Sequence, residues 1–403
     1  MKCILAPFNP TSVSHYFDPS VKLPNVNTTA TSVNNLVNGL LKLGEQLLIV
    51  TTDISERSNS VYTTNNVTII VVGCYRRFVL SRLFPNLHCI AGQIYEALTP
   101  YLNDISLVHA HWCYEYALAA LRFNASIPIL CTVRDWAPVI YRSINPLNSL
   151  YSFFAKSYWR YKMHIMKVVL ASKRITFIAN SEYTYNLLSS QSIHSSIIHN
   201  SINAACILDS VPSLETRNSI ISIAGSLDDR RKNIERLVEA FEIINKNNKN
   251  IILILVGNYN PRGRVYKLVK NKGLLTNVRF LGKLSRAEVI RQLDSAFCMI
   301  HPALEETFGI IFLEAMARGC FCIGGENSGS VPYVLSDGKF GILCDVTSPQ
   351  SIVNAYNGLV KELSSYEEMR KEALSNVKSN YSSETIARKH IRLYTQSINV
   401  FSI

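Results

Sequence analysis

Glu306 and Glu314 stand eight residues apart in the run H-P-A-L-E-E-T-F-G-I-I-F-L-E-A-M-A-R-G, residues 301–319. The first carboxylate precedes an expected helix start, and the second lies inside an otherwise apolar helical stretch. An unpaired carboxylate buried there would cost on the order of several kcal/mol, so a polar partner or ligand is expected. Thr307 is the expected N-cap, 309–312 the first turn and Gly319 the stop. A helix start of this kind offers free N–H groups and a positive end to an anion, most often phosphate. Gly309, without a side chain, lets a ligand approach the backbone. Glu314 can accept two hydrogen bonds from a vicinal diol such as a ribose, and Glu306 can do the same for a sugar. A structural alternative, one capping acid and one acid in a surface ion pair, is equally compatible with the spacing.

The elements that must position these residues alternate along the chain. Strands are expected at Lys2–Pro7, Gln46–Thr51, Val67–Val72, Leu107–Ala110, Ile129–Val133, Ile175–Ala179 and Ser196–Ile198. After an irregular link near 203–217 the pattern restarts at Ser219–Ala224, Ile251–Val256, Val278–Phe280, Cys298–Ile300, Cys320–Gly324 and Gly341–Leu343. Helical periods fall between them, as at Asn233–Ile244 and Arg286–Ser295, and a last helix is expected near Ser383–Asn399. Strand–helix alternation implies an α/β fold with parallel sheets and right-handed crossovers. The expected layout is a first domain at 1–205, a second at 206–382, and a C-terminal helical segment, 383–403, returning toward the first. Ligand would lie in a cleft at the carboxyl ends of the strands.

At 403 residues, one core is too few. A hydrophobic content of 48% and a mean hydropathy of +0.11 exclude a disordered chain. The short apolar run before Pro7 reads as a strand and not a signal peptide, and no run is long enough to span a bilayer. Ten cysteines without C-x-x-C or zinc spacing suit a reducing cytoplasm. The net charge of +12 is uneven: 136–181 holds no Asp or Glu, but does hold Lys156, Arg160, Lys162 and Lys167 among Phe153, Tyr158 and Trp159. The acid-free stretch 57–95 adds Arg76, Arg77 and Arg82. Such a surface suits an anionic membrane or a lipid diphosphate, or is simply a solvated helix face. No nucleic-acid motif accompanies the charge, so no nucleic-acid partner is expected.

Four segments, read together, resemble the family-4 retaining glycosyltransferases of the GT-B fold. They are the Glu306/Glu314 run; Ile221-Ser-Ile-Ala-Gly-Ser-Leu followed by Lys232-Asn233; Ala179-Asn180-Ser181-Glu182 followed by His199-Asn200-Ser201-Ile202-Asn203; and Val108-His109-Ala110-His111-Trp112 followed by Cys131-Thr132-Val133-Arg134-Asp135-Trp136. The resemblance spans roughly residues 100–345 and implies two facing Rossmann-like domains. It implies a nucleoside diphosphate sugar donor on the second domain and no cofactor or metal. Glu314 would take the ribose, Glu306 the sugar hydroxyls, the backbone of Phe308, Gly309, Ile310 and Ile311 the diphosphate, and Lys232 the departing charge. Gly225, Ser226, Gly257 and Phe280 complete the implied donor side. Arg134 and Asp135 join Glu306 and Lys232 as the implied catalytic residues, and the acceptor-side candidates are His109, His111, Trp136 and Asn27.

The pattern also departs from the family. Ser226 stands where an arginine usually partners the lysine, with Arg230 and Arg231 as possible substitutes. Arg134 replaces a histidine and cannot act as a base because it stays protonated, although it can hold a phosphate or an acceptor. The usual glycine pair near Asn27 is missing. His109 and His111 share one face of a strand end, where packing is favoured over metal ligation because no third ligand is visible. Asp135 either orients the acceptor or caps the turn before Pro138. The expected function is sugar transfer with retention to a lipid-linked or polysaccharide acceptor, in surface glycan synthesis at the inner face of the membrane. The alternatives are a non-catalytic partner that binds sugar nucleotides, or a nucleotide-sugar epimerase.

Overall fold

The computed structural model describes residues 1–26, 30–74, 85–146, 150–214 and 217–401. Asn27 and the basic stretch Arg76–Phe84 lie outside these residues. The chain divides into two compact units: Met1–Ser201 with Ser383–Ile403, and Ile202–Ser382.

The first unit is built on an eight-stranded sheet in the order β3-β4-β2-β1-β5-β6-β7-β8. Its strands are β1 Lys2–Leu5, β2 Leu47–Asp53, β3 Ser60–Thr63, β4 Val67–Gly73, β5 Leu107–His111, β6 Ile129–Val133, β7 Ile175–Ala179 and β8 Ser195–Ile197. All pairings are parallel except β3–β4. Side chains alternate between two buried layers: Cys3 and Leu5 of β1 face one apolar cluster, while Ile4 and the following Ala6 face the other. Burial on both faces is why these strands read as continuous apolar runs. β3 was not expected from the sequence. It is an antiparallel edge strand with exposed Val61, so it carries no apolar run.

The helix Ser383–Phe401 belongs to this unit and packs on Thr31–Lys42. The approach is close at Gly39, where an added Cβ would lie 2.3 Å from the Ser383 carbonyl oxygen. Tyr394, fully buried, enters the second apolar layer.

The second unit carries a six-stranded, all-parallel sheet, β11-β10-β9-β12-β13-β14. Its strands are β9 Ser219–Ser226, β10 Ile252–Asn258, β11 Val278–Gly282, β12 Ala296–His301, β13 Phe321–Gly325 and β14 Ile342–Cys344. Each unit has a point where the strand order reverses: between β1 and β5 in the first, and between β9 and β12 in the second. Ligands of open α/β sheets bind outside the carboxyl ends of the strands at such points. Those ends carry His111 on β5, Ser226 on β9 and His301 on β12. All ten cysteines are free. Among the described residues no helix is long and apolar enough to cross a membrane.

Candidate donor and acceptor sites

In the second unit, β12 ends at His301 and the chain runs through Pro302–Glu305 to Glu306. Glu306 is held extended by a bridge to Gly329, with its amide donating to the Ser328 carbonyl and its own carbonyl accepting from Ser330. The turn is completed through Gly309, which has φ +81° and is the true N-cap of the helix Ile310–Ala317. The expected cap at Thr307 is therefore corrected by two residues. With Glu306 tied to Gly329, the chain reaches helical geometry only after a left-handed residue, for which glycine carries no steric cost. The helix ends as expected at Gly319, φ +63°, where the Gly319 and Cys320 amides donate to the Met316 and Ala315 carbonyls.

Glu306 is gripped from two sides. The Lys232 ammonium donates to its Oε1, and His301 Nε2 lies 2.7 Å from the same oxygen. Burial pushes this carboxyl up, but the Lys232 charge and the His301 hydrogen bond outweigh it and hold the group well below the usual carboxylate range. Glu314 does not join this cluster. It is buried, and its partner is the Arg286 guanidinium on Oε1. Burial raises the Glu314 carboxyl and Arg286 reverses only part of that. Two carboxylates in one segment are thus driven in opposite directions.

Lys232 closes the short turn Arg230–Lys232 after β9, a turn capped by Asp229. Arg231 is engaged by Asp229, with Nη2 to Oδ2 at 2.7 Å, whereas Arg230 is exposed. Gly225 is open, with no atom within 4 Å of an added Cβ, and Ser226 beside it is exposed. Gly257, φ +142°, has a packing reason for its identity: an added Cβ would lie 2.1 Å from the Ala224 carbonyl. Phe280 belongs to an aromatic cluster with Tyr259 and Tyr266. Phe308 is buried near Tyr381, while Ile310 and Ile311 are half-buried at the helix start.

In the first unit, His109, His111, Arg134, His390 and Tyr394 form one buried network. His109 bonds Tyr394 Oη through Nδ1 and Thr132 Oγ1 through Nε2, both at 2.7 Å. Arg134 donates from Nε to His111 Nδ1 at 3.0 Å, and from Nη1 to Ser32 Oγ and Asn200 Oδ1. Burial, and then the neighbouring positive groups, keep His109 and His111 neutral. Burial also pushes Arg134 down to about 9, so it stays the cation of the group at neutral pH. Among the described residues no cluster of metal-ligand type is present. Asp135 accepts from the Tyr114 hydroxyl at 2.8 Å, and the helix Ala137–Ser143 has Trp136 as its N-cap residue. Nearby, the acid-free helix Leu150–Leu170 and Tyr141 border a surface cavity of about 240 Å³ lined by Tyr141, Pro146, Phe153, Lys156, Ser157 and Arg160.

Sequence reasoning missed His301 and Arg286. His301 had a signal, because it ends a strand at the reversal point and opens the run already singled out. Arg286 had none, since its reach to Glu314 is a tertiary contact.

These two doubly wound units with polar residues at their reversal points define the GT-B class of sugar-transfer folds. Residues 29–205 match the family model Glycosyltransferase Family 4, and residues 209–375 match Glycosyl transferases group 1. The chain belongs to the family-4 glycosyltransferases. It is 31% identical over 164 residues to the N-acetyl-alpha-D-glucosaminyl L-malate synthase of Bacillus anthracis, a match covering 40% of this chain and only 42% of that protein. Among solved structures, a sucrose-phosphate synthase from Thermosynechococcus elongatus superposes with a TM-score of 0.76 at 19% identity, over 99% of this chain and 100% of that one. A second protein, from Anabaena and bound to UDP and glucose, matches with a TM-score of 0.63 at 14% identity, over 98% of this chain and 100% of that one.

Proposed function

We propose that this glycosyltransferase moves a sugar with retention, and without a metal ion, from a nucleoside diphosphate donor to a lipid-linked or polysaccharide acceptor in surface glycan assembly. The observation that carries the reading is the Glu306 carboxylate, set between Lys232 and His301 at the start of the Gly309-capped helix. The Anabaena protein's UDP and glucose are in keeping with such a donor.

In this reading Glu306 accepts hydrogen bonds from sugar hydroxyls and Glu314 from the ribose. The amides of 308–311 take the diphosphate. Lys232 exchanges its contact with Glu306 for the diphosphate oxygens, with exposed Arg230 standing in for the arginine that Ser226 replaces. The bond from the anomeric carbon to phosphate oxygen breaks with its electrons on the diphosphate. The acceptor oxygen bonds to the same face, and its proton passes to the leaving phosphate. Fixed cations and N–H dipoles stabilise this charge more in the transition state than in the ground state. On the acceptor side Arg134 holds an anionic group, with Asp135 and Trp136 beside it. The acid-free helix places the enzyme on an anionic bilayer at its cytoplasmic face.

The test is transfer from a panel of UDP-, GDP- and ADP-sugars, with the product anomer read by NMR. Glu306→Ala and Lys232→Ala are each expected to abolish transfer with the fold intact. Undiminished transfer by either variant overturns the site assignment, and an inverted product overturns retention.

A further inference from the structure

Arg286 is the first residue of the helix Arg286–Ser295, whose start is fixed by a capping box between Ser285 and Glu288. Glu288 is occupied there, so it does not compete for the Arg286 guanidinium. One arm of that guanidinium meets Glu314 Oε1, and the other, Nη2, is buried with no hydrogen-bond partner. A buried donor without an acceptor is costly, and such groups in a native site usually await a ligand or water. Glu314, for its part, retains acceptor capacity beyond the single oxygen given to Arg286.

We propose that Arg286 is a specificity-determining residue of the donor site. Together with Glu314 it reads a ribose hydroxyl, which distinguishes ribonucleoside from deoxyribonucleoside diphosphates. This rests on the reading of Glu314 as the ribose-binding residue. A hydroxyl donates and accepts at once. Its O–H satisfies the Glu314 carboxylate while its oxygen takes the N–H of Nη2. A deoxyribose leaves Nη2 without an acceptor and the second Glu314 oxygen without a donor, so discrimination of about 10- to 100-fold is expected.

The Arg286 charge also favours the ionised form of Glu314 against burial. The other titratable or charged groups on elements packed around the Glu314 helix do not supply this. Arg370 is engaged by Glu367 and by the Gly319 and Pro212 carbonyls; His301 serves Glu306; Cys322 on β13 is a neutral thiol whose hydrogen bonds go to the Phe312 and Cys320 carbonyls.

Calorimetry on the full chain tests this with UDP, GDP and ADP, then with the 2′-deoxy and 3′-deoxy forms of whichever binds. The wild type should favour the ribonucleotide by at least about tenfold over one deoxy form. In Arg286→Met the ratio should collapse to within about twofold. The pH below which affinity falls should also move up by at least about one unit, because the carboxylate binds and its protonated form does not. Arg286→Lys should restore the pH profile through its charge, but recover the deoxy discrimination only in part. Equal binding of ribo and deoxy forms by the wild type, or unchanged ratio and pH profile in Arg286→Met, overturns the proposal. Failure of the wild type to bind any nucleoside diphosphate overturns the donor-site reading beneath it.

Discussion

The two carboxylates that stand out in the sequence turn out to be held by different means, and the difference is measurable. Glu306 owes its depressed carboxyl to Lys232 and His301 acting against burial. A carboxylate whose pKa is lower in the folded state stabilises the fold above the unfolded value near 4.3 and loses that contribution as pH falls through the folded value. Lys232→Met removes most of that contribution. With the ammonium gone, only His301 opposes burial, so the Glu306 carboxyl rises and ionised Glu306 stabilises the fold less at neutral pH. The expected loss near pH 7 is about 3 kcal/mol, the low end for removing one partner of a buried pair. It should shrink as pH is lowered toward about 4, because the carboxyl can then take its proton. Urea midpoints of wild type and variant across that range check this, and a gap that stays constant with pH contradicts it. The identity of Glu306 as a special residue was legible from its spacing. Its partners were only half so: Lys232 came from a family likeness, and His301 lay unread at the head of the same run.

At the scale of elements, the strands were legible because both faces of each sheet are buried, which leaves apolar runs such as Leu107–Ala110 and Ile129–Val133. Boundaries shifted by a residue or two, and the exposed edge strand Ser60–Thr63 left no such trace. How helices meet was not legible. Gly39 lies inside Thr31–Lys42 like any helical glycine, yet its missing side chain is what admits the Ser383 backbone. Gly39→Ala should therefore destabilise by about 1–3 kcal/mol, the range for overpacking, because the atom in the way is a backbone carbonyl. Gly358→Ala, in the helix Pro349–Lys361 with nothing within 4 Å, should instead stabilise by about 0.5–1 kcal/mol. Thermal melts of the two variants should move in opposite directions. The same C-terminal helix is also held by the Tyr394 hydroxyl on His109. Tyr394→Phe leaves the His109 ring nitrogen buried and unsatisfied, and about 1–3 kcal/mol should be lost.

For the molecule as a whole the decisive quantity is where its charge lies. The net charge of +12 is spread so that 136–181 holds no acid at all. Within it, the helix Leu150–Leu170 shows solvent an uninterrupted stripe: Leu150 and Phe153 are 72% and 55% exposed, followed by Ser157, Arg160, His164 and Lys167. Each Lys or Arg near an anionic bilayer contributes about 1 kcal/mol, and that attraction decays over a Debye length of about 10 Å at 0.1 M salt. The apolar end of the stripe would add a salt-insensitive part by burying Phe153 and Leu150 among the headgroups. Co-sedimentation with phosphatidylserine-containing vesicles should thus be strong at about 0.05 M salt and several-fold weaker at about 0.3 M, with little binding to purely zwitterionic vesicles. The pair Arg160→Glu and Lys167→Glu changes only exposed positions. It should abolish the salt-sensitive part and leave nucleotide binding by the second unit unchanged. Binding that ignores both salt and lipid charge would mean that the acid-free face is a solvated helix surface and that the acceptor reaches the enzyme by another route.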